Sequence, residues 1–168
     1  MPRRLILMRH AKSDWTDGDA TDHARVLNPR GRAACDVIGP WLAKHGYVPD
    51  EVLCSDAART RETWARIAPF LPDAPAPTLR PDLYLAEPGR MLGALQGASG
   101  AVVAMIGHNP GIGSLASGLL ADRPGHADFA RYPTLATLVA DFDVDDWADI
   151  VPFTGRAVDF VVPRDLTD

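Results

Sequence analysis

The residues best equipped for chemistry lie in two short stretches built alike. Leu5-Ile6-Leu7-Met8 runs straight into Arg9-His10-Ala11-Lys12-Ser13, and Ala101-Val102-Val103-Ala104-Met105-Ile106 runs into Gly107-His108-Asn109-Pro110-Gly111. Histidine carries a ring nitrogen that can serve as nucleophile, acid or base near neutral pH. Arginine presents a planar, permanently charged fork that suits phosphate. A single Arg-His pair after an apolar run is more often a plain polar strand end than a site. Two such runs change the reading: parallel central strands that each deliver a histidine to the same end of one sheet make the two rings face across one pocket. With Arg59, and Arg25 as a third cation, the set fits phosphoryl transfer. In that reading Arg9, Arg59 and His108 would hold the non-bridging oxygens, with His10 in line behind phosphorus.

The elements that must position these residues follow from the pattern. Each apolar run has the length of a strand buried on both faces, and ligands of open α/β sheets bind at the carboxyl ends of strands. The Asp-rich stretch 14–23 reads as a loop over the pocket rim. A helix is expected over 31–45, with Pro29 suited to a first helical position and Gly46 as its stop. Gly39-Pro40 inside it is expected to kink or shift it. A short strand over 50–54 leads to Ser55 and then to a helix over 56–70. Its first turn aims Arg59 at the sheet end that carries His10, and a helix N-terminus itself favours an anion. After a proline-dense connector come a short extended piece within 79–85 and a helix over 88–96. The strand 101–106 follows, then a helix reaching 120, with Asn109 as its cap and Pro110 as its first residue. Strands over 134–142 and 157–162 flank a turn-like acidic segment anchored by Trp147 and are expected to pair antiparallel at one edge. Strands alternating with helices predict a three-layer α/β/α sandwich with a mostly parallel central sheet.

Three separated motifs then agree in order: Arg9-His10, Ser55-x-x-x-Arg59-x-x-Glu62-Thr63, and Gly107-His108-Asn109-Pro110. Together they resemble the histidine phosphatase superfamily, and the wording Arg9-His10-Ala11-Lys12-Ser13 is most similar to its small SixA-type branch of phosphohistidine phosphatases. The resemblance runs from about residue 5 to 166. It implies a phosphoglycerate mutase-like fold, and catalytic roles for His10, Arg9, Arg59 and His108 through a phosphohistidine on His10. Ser13, Arg25, Ser55 and Asn109 are the expected substrate-binding residues, although local capping is an equally good account of the two serines. Val26 stands where that branch usually carries Pro. Larger members of the superfamily protonate the leaving group with a carboxylic acid. No motif here fixes one: Glu87 is a weak candidate, better read as a solvated loop residue, and Asp22 a weaker one. The SixA-type branch is thought to lack the usual acid, which suits a phosphoramidate, whose imidazole leaving group needs less help than an alkoxide.

Composition bounds the rest. A chain of 168 residues is expected to form a single domain, 1–168, with a sizeable core. The apolar run behind the basic start is too short for a signal peptide, and no run is long enough to span a bilayer, so a cytoplasmic protein is expected. Cys35 and Cys54 have neither metal nor redox spacing. The net charge of −5 argues against nucleic-acid binding. None of the five histidines forms a close ligand pair, and Arg9 beside His10 would repel a cation, so no metal or cofactor is expected. Gly111-Ile112-Gly113-Ser114-Leu115-Ala116 matches a dinucleotide-binding pattern but falls inside a helix start, where close packing explains it better. The expected partner is a phosphorylated protein of the histidine-containing phosphocarrier or phosphotransfer type. A small phosphate ester, or a pocket that binds phosphate without turnover, is the alternative. A monomer is the default.

Overall fold

The computed structural model describes residues 2–167. Its centre is a six-stranded sheet with the order β3-β2-β4-β1-β5-β6: β1 Arg3–Arg9, β2 Glu51–Ser55, β3 Thr78–Arg80, β4 Val102–Gly107, β5 Thr137–Phe142 and β6 Arg156–Val161. The pairs β3·β2, β2·β4 and β4·β1 are parallel, and β1·β5 and β5·β6 are antiparallel. The sheet is thus mostly parallel, with the expected antiparallel pair at one edge.

Side chains alternate strictly along the central strands, as the strand period of two requires. Leu5, Leu7, Val103 and Met105 enter one core, beneath α3 (Pro88–Gln96) and α4 (Gly111–Leu119). Ile6, Met8, Ala104 and Ile106 enter the other, beneath α1 (Pro29–Lys44) and α2 (Ala58–Ile67). All eight are fully or almost fully buried, which is why the runs read as unbroken apolar stretches rather than as polar–apolar alternation. Helices on both faces make the three-layer sandwich. Among the described residues no helix is long and apolar enough to cross a membrane.

Several boundaries differ from the sequence expectation. The helix α1 begins at Pro29, capped by Asn28, whose side chain accepts from Gly31 N at 2.8 Å, and it ends before Gly46, where φ is +70°. It runs through Gly39-Pro40 as one helix. A Cβ at position 39 would lie 2.3 Å from the Phe70 ring, so glycine serves close packing there. The second helix is shorter than predicted: α2 starts at Ala58, and residues Ala68–Phe70 tighten into a 3-10 turn. Proline at position 110 precedes α4 instead of opening it. Strand β5 starts at Thr137, because the Leu135 backbone turns to φ +57° and its N–H donates to the His10 carbonyl at 3.0 Å. Trp147 anchors the acidic segment as expected, fully buried with its indole N–H on the Gly100 carbonyl at 2.7 Å. Cys35 and Cys54 are buried free thiols, each pushed up to about 12 by burial, and so are inert core residues. The Gly-x-Gly stretch also has a packing role: a Cβ on Gly111 would sit 1.9 Å from the Ala86 carbonyl oxygen.

Candidate active site

The parallel strands β1, β2 and β4 end on the same edge of the sheet, and the chemistry-bearing residues meet there. His10 follows β1, Ser55 closes β2, and His108 follows β4. A cavity of about 330 Å³ opens at this edge, and its lining includes Arg9, His10, Arg25, Arg59 and His108. The two imidazole rings stand with centroids 5.3 Å apart, tilted at 53°.

The main chain of His10 is clamped on both sides. Its N–H donates to the Gly107 carbonyl at 3.1 Å and its carbonyl accepts from Leu135 N at 3.0 Å. The next residue is tied to α2, since Ala11 N donates to Thr63 Oγ1 at 3.0 Å while that hydroxyl donates to the Arg59 carbonyl at 2.7 Å. This accounts for Thr63 in the motif. Glu62 has a related framework role: it accepts from Leu27 N at 2.9 Å, Arg32 at 2.9 Å and Arg66 at 2.7 Å, pinning the rim loop and α1 to α2.

Side-chain partners assign the tautomers. His10 Nδ1 lies 2.7 Å from the Ala11 carbonyl oxygen, which can only accept, so Nδ1 carries the proton and the Nε2 lone pair is left free. His108 is held the other way round. Its Nδ1 accepts from Arg59 Nη2 at 3.3 Å, and its Nε2–H donates to Ser55 Oγ at 2.8 Å. Burial pushes both rings down to about 3; Arg59 and Arg9 add to this at His10, and His10 and Arg59 add to it at His108. Both imidazoles are neutral at physiological pH.

Cations crowd the lining. Arg9 Nη1 donates to the Tyr132 carbonyl at 3.3 Å, and burial, with Arg59 nearby, lowers the Arg9 pKa. The Nε atoms of Arg9 and Arg59 are buried without a hydrogen-bond partner, which is costly for charged donors unless an anion engages them. Arg25 donates to Ser13 Oγ and to Asp22 Oδ1, at 3.0 Å from Nη2 to the carboxylate, and its guanidinium stacks 3.4 Å from the centroid of the Trp15 ring. Val26 is exposed and its carbonyl accepts from Asp14 N at 2.8 Å, so Arg25 reaches the cavity without a following proline.

Three expectations need correction. Ser55 does not line the cavity: it is fully buried, accepting from His108 and from Ala57 N at 3.3 Å, and so positions His108 instead of touching a ligand. Asn109 does line it, but its amide is taken up by the main chain, donating to the Arg131 and Tyr132 carbonyls at 3.0 Å each and accepting from Gly113 N at 3.2 Å. Glu87 belongs to a neighbouring cavity with Asp82 and Arg90 and is not among the residues around His10.

Asp22 is more central than the sequence suggested. Its carboxylate meets Tyr84 Oη, Arg25 and Arg59 Nη2, the last at 3.1 Å, while its carbonyl accepts from Arg59 Nη1 at 2.7 Å. The Tyr84 hydroxyl, then Arg25 and Arg59, hold the carboxyl well below the usual carboxylate range. It is therefore a fixed anion and a poor proton donor. No motif marks Tyr84, and only the fold brings it against Asp22 and edge-on to His108, at 5.4 Å between ring centroids.

Comparisons with known proteins agree with this geometry. Residues 5–131 match the histidine phosphatase superfamily (branch 1). An uncharacterised protein of Mycobacterium tuberculosis strain H37Rv is 36% identical over 164 residues, covering 94% of this chain and all of the relative. A structure from Nakamurella multipartitia, described as a candidate phosphohistidine phosphatase SixA, superposes with a TM-score of 0.82 at 27% identity over 97% of each chain. A second such structure, from Agrobacterium tumefaciens, gives 0.80 at 25% identity over 97% of this chain and 99% of the other. The chain belongs to the histidine phosphatase superfamily, branch 1, and is of the SixA type.

Proposed function

We propose that this protein is a phosphatase that works through a phosphohistidine on His10 without a metal, and that its substrate is phosphohistidine on a protein. The observation that carries the reading is the state of His10: a buried neutral ring whose Nδ1–H is tied to the Ala11 carbonyl, leaving Nε2 as the nucleophilic nitrogen amid the Arg9, Arg25 and Arg59 guanidinium groups. The Nε2 lone pair forms a bond to phosphorus as the bond from phosphorus to the leaving group breaks. The leaving group keeps that electron pair. Water then attacks the phosphohistidine, inorganic phosphate departs, and Nε2 recovers its lone pair. Arg9 and Arg59 stabilise the equatorial charge, and the unpartnered Nε–H donors of the two arginines are suited to that task, while His108, with both ring nitrogens engaged, holds Arg59 in place.

The preference for a phosphoramidate rests on the lack of a placed acid. The only carboxylate lining the cavity among the described residues is Asp22, held ionised by Tyr84 and two arginines. A phosphohistidine protonated on its distal ring nitrogen leaves as neutral imidazole, with no acid needed at the bridging atom. An alkoxide leaving group has no such route.

Phosphoryl trapping tests the reading. The protein is incubated with a radiolabelled phosphohistidine carrier protein in the presence of chelator and quenched rapidly, beside His10→Ala. Acid-labile, base-stable label on the wild type, with phosphate release lost in the variant, is the expected result. Release independent of His10 overturns the nucleophile. Phosphate bound but never released points to a binding module, and release confined to small esters points to a phosphomonoesterase.

A further inference from the structure

A second cavity, of about 250 Å³, adjoins the first. The two share Lys12 and Thr134 in their linings. The second is strongly basic: Lys12, Arg30, Arg131 and Arg164 line it, against one carboxylate, Asp128. That carboxylate is already engaged, by Arg164 at 2.9 Å and Arg131 at 3.5 Å. Lys12 and Arg30 are exposed, and among the described residues no carboxylate pairs with either. A local excess of cations in a chain of net charge −5 is a focused field rather than a general property of the surface.

Arg30 adds an independent argument. It lies in the first turn of α1, which contains no acidic residue. The N-terminal end of a helix carries partial positive charge and favours Asp or Glu, so a cation there is held against the local preference. The neighbouring Arg32 offsets that cost through Glu62 at 2.9 Å, whereas Arg30 has no such partner. The α1 end and Arg30 therefore both add positive potential to a cavity that leads, through Lys12, to the phosphate pocket.

We infer that this basic cavity is a second anion subsite, and that it takes acidic side chains flanking the phosphorylated residue of a protein substrate. The inference rests on the phosphatase reading and adds a sequence preference to it. An extended segment fits better than a compact metabolite, because Arg131 and Arg164 project outward with side chains 78% and 79% exposed, forming an open rim.

The test compares wild type, Arg30→Ala and Arg30→Glu on p-nitrophenyl phosphate and on two phosphohistidine peptides, identical except for runs of Glu or of Gln beside the phosphorylated residue. Several partly exposed charge pairs, each worth a fraction of a tenfold factor, lead us to expect wild type to favour the Glu peptide by about tenfold in kcat/KM at low salt. The preference should shrink in Arg30→Ala and reverse in Arg30→Glu, with p-nitrophenyl phosphate turnover unchanged in both. The unfolding midpoint of Arg30→Glu should rise, because an acid replaces a base at a helix start. That increase would exclude misfolding as the cause of lost preference. An equal preference in all three proteins, or loss on the Glu and Gln peptides alike, overturns the subsite. If wild type turns over none of the substrates, the phosphatase reading fails separately. The subsite is then read by binding of a fluorescent poly-Glu peptide, which must be weaker to Arg30→Glu than to wild type; equal binding overturns it.

Discussion

The ends of β1 and β4 look alike in sequence and differ in what their histidines are prepared to do. After β1, a backbone carbonyl fixes the proton of His10 on Nδ1 and leaves Nε2 uncommitted. After β4, Ser55 and Arg59 engage both ring nitrogens of His108. Burial depresses both rings similarly. The contrast therefore lies in partners rather than in solvation: one ring keeps a free lone pair, and the other is braced. A nucleophile needs the first condition, whereas a ring that holds a neighbouring guanidinium at a fixed place is better served by the second.

The sharpest way to break this comparison is to delete each ring in turn. His10→Ala should lower kcat by at least about 10³-fold and abolish covalent labelling, as loss of a nucleophile does. His108→Ala should lower kcat by about 10²–10³-fold, because Arg59 loses the ring that fixes its charge-stabilising guanidinium, yet still accumulate label on His10 over long incubation. Label absent from both variants would give the two rings equal rank.

Ser55→Ala tests the brace. It strands the buried Nε2–H of His108 and should cost about 1–3 kcal/mol of stability, with a drop in kcat larger than any change in KM. A variant of unchanged stability, measured by urea unfolding, would show that the serine holds nothing.

The shared burial predicts acid sensitivity. In the unfolded chain both rings protonate near 6.5, and in the folded protein near 3. Between those values the unfolded state binds more protons, so stability is full above about pH 6.5 and falls as the pH drops. Each ring contributes up to about 1.4 kcal/mol per pH unit. Urea unfolding from pH 7 to 4.5 should therefore show a slope that shrinks in His10→Ala and again in the double variant. A flat profile in wild type would show that the rings are not desolvated.

The smallest effect is expected at Asp22, whose carboxylate occupies donors of Arg25 and Arg59. Asp22→Asn removes a negative charge beside the anion pocket and should tighten tungstate binding by about fivefold, roughly 1 kcal/mol at a partly screened site. Weaker binding in this variant would mean that the carboxylate orients the arginines more than it competes for them.

Much of this site was legible before the fold was known, and the reason is local. His10, His108, Arg9 and Arg59 sit at strand ends and in a first helical turn, where hydrophobic pattern alone says which way a side chain must face. The mostly parallel sheet and its antiparallel edge followed from the same pattern, whereas the strand order did not. The misread residues have roles that depend on long-range partners. Whether Ser55 faces the cavity or His108 is decided 53 residues along the chain. Tyr84 meets Asp22 across 62 residues, and no spacing rule links them. The start of β5 slipped where a tertiary hydrogen bond, Leu135 to His10, outweighed local preference.

Of the four tryptophans, Trp15 is the one that lines the phosphate cavity, 75% exposed with its ring against Arg25. Trp64 and Trp147 lie in the core. The protein thus carries its own optical reporter: an anion that draws Arg25 away from the indole alters the emission of a solvent-facing fluorophore over a background of two buried tryptophans and the half-buried Trp41. Occupancy of the pocket can be followed by intrinsic fluorescence, with no label and no turnover.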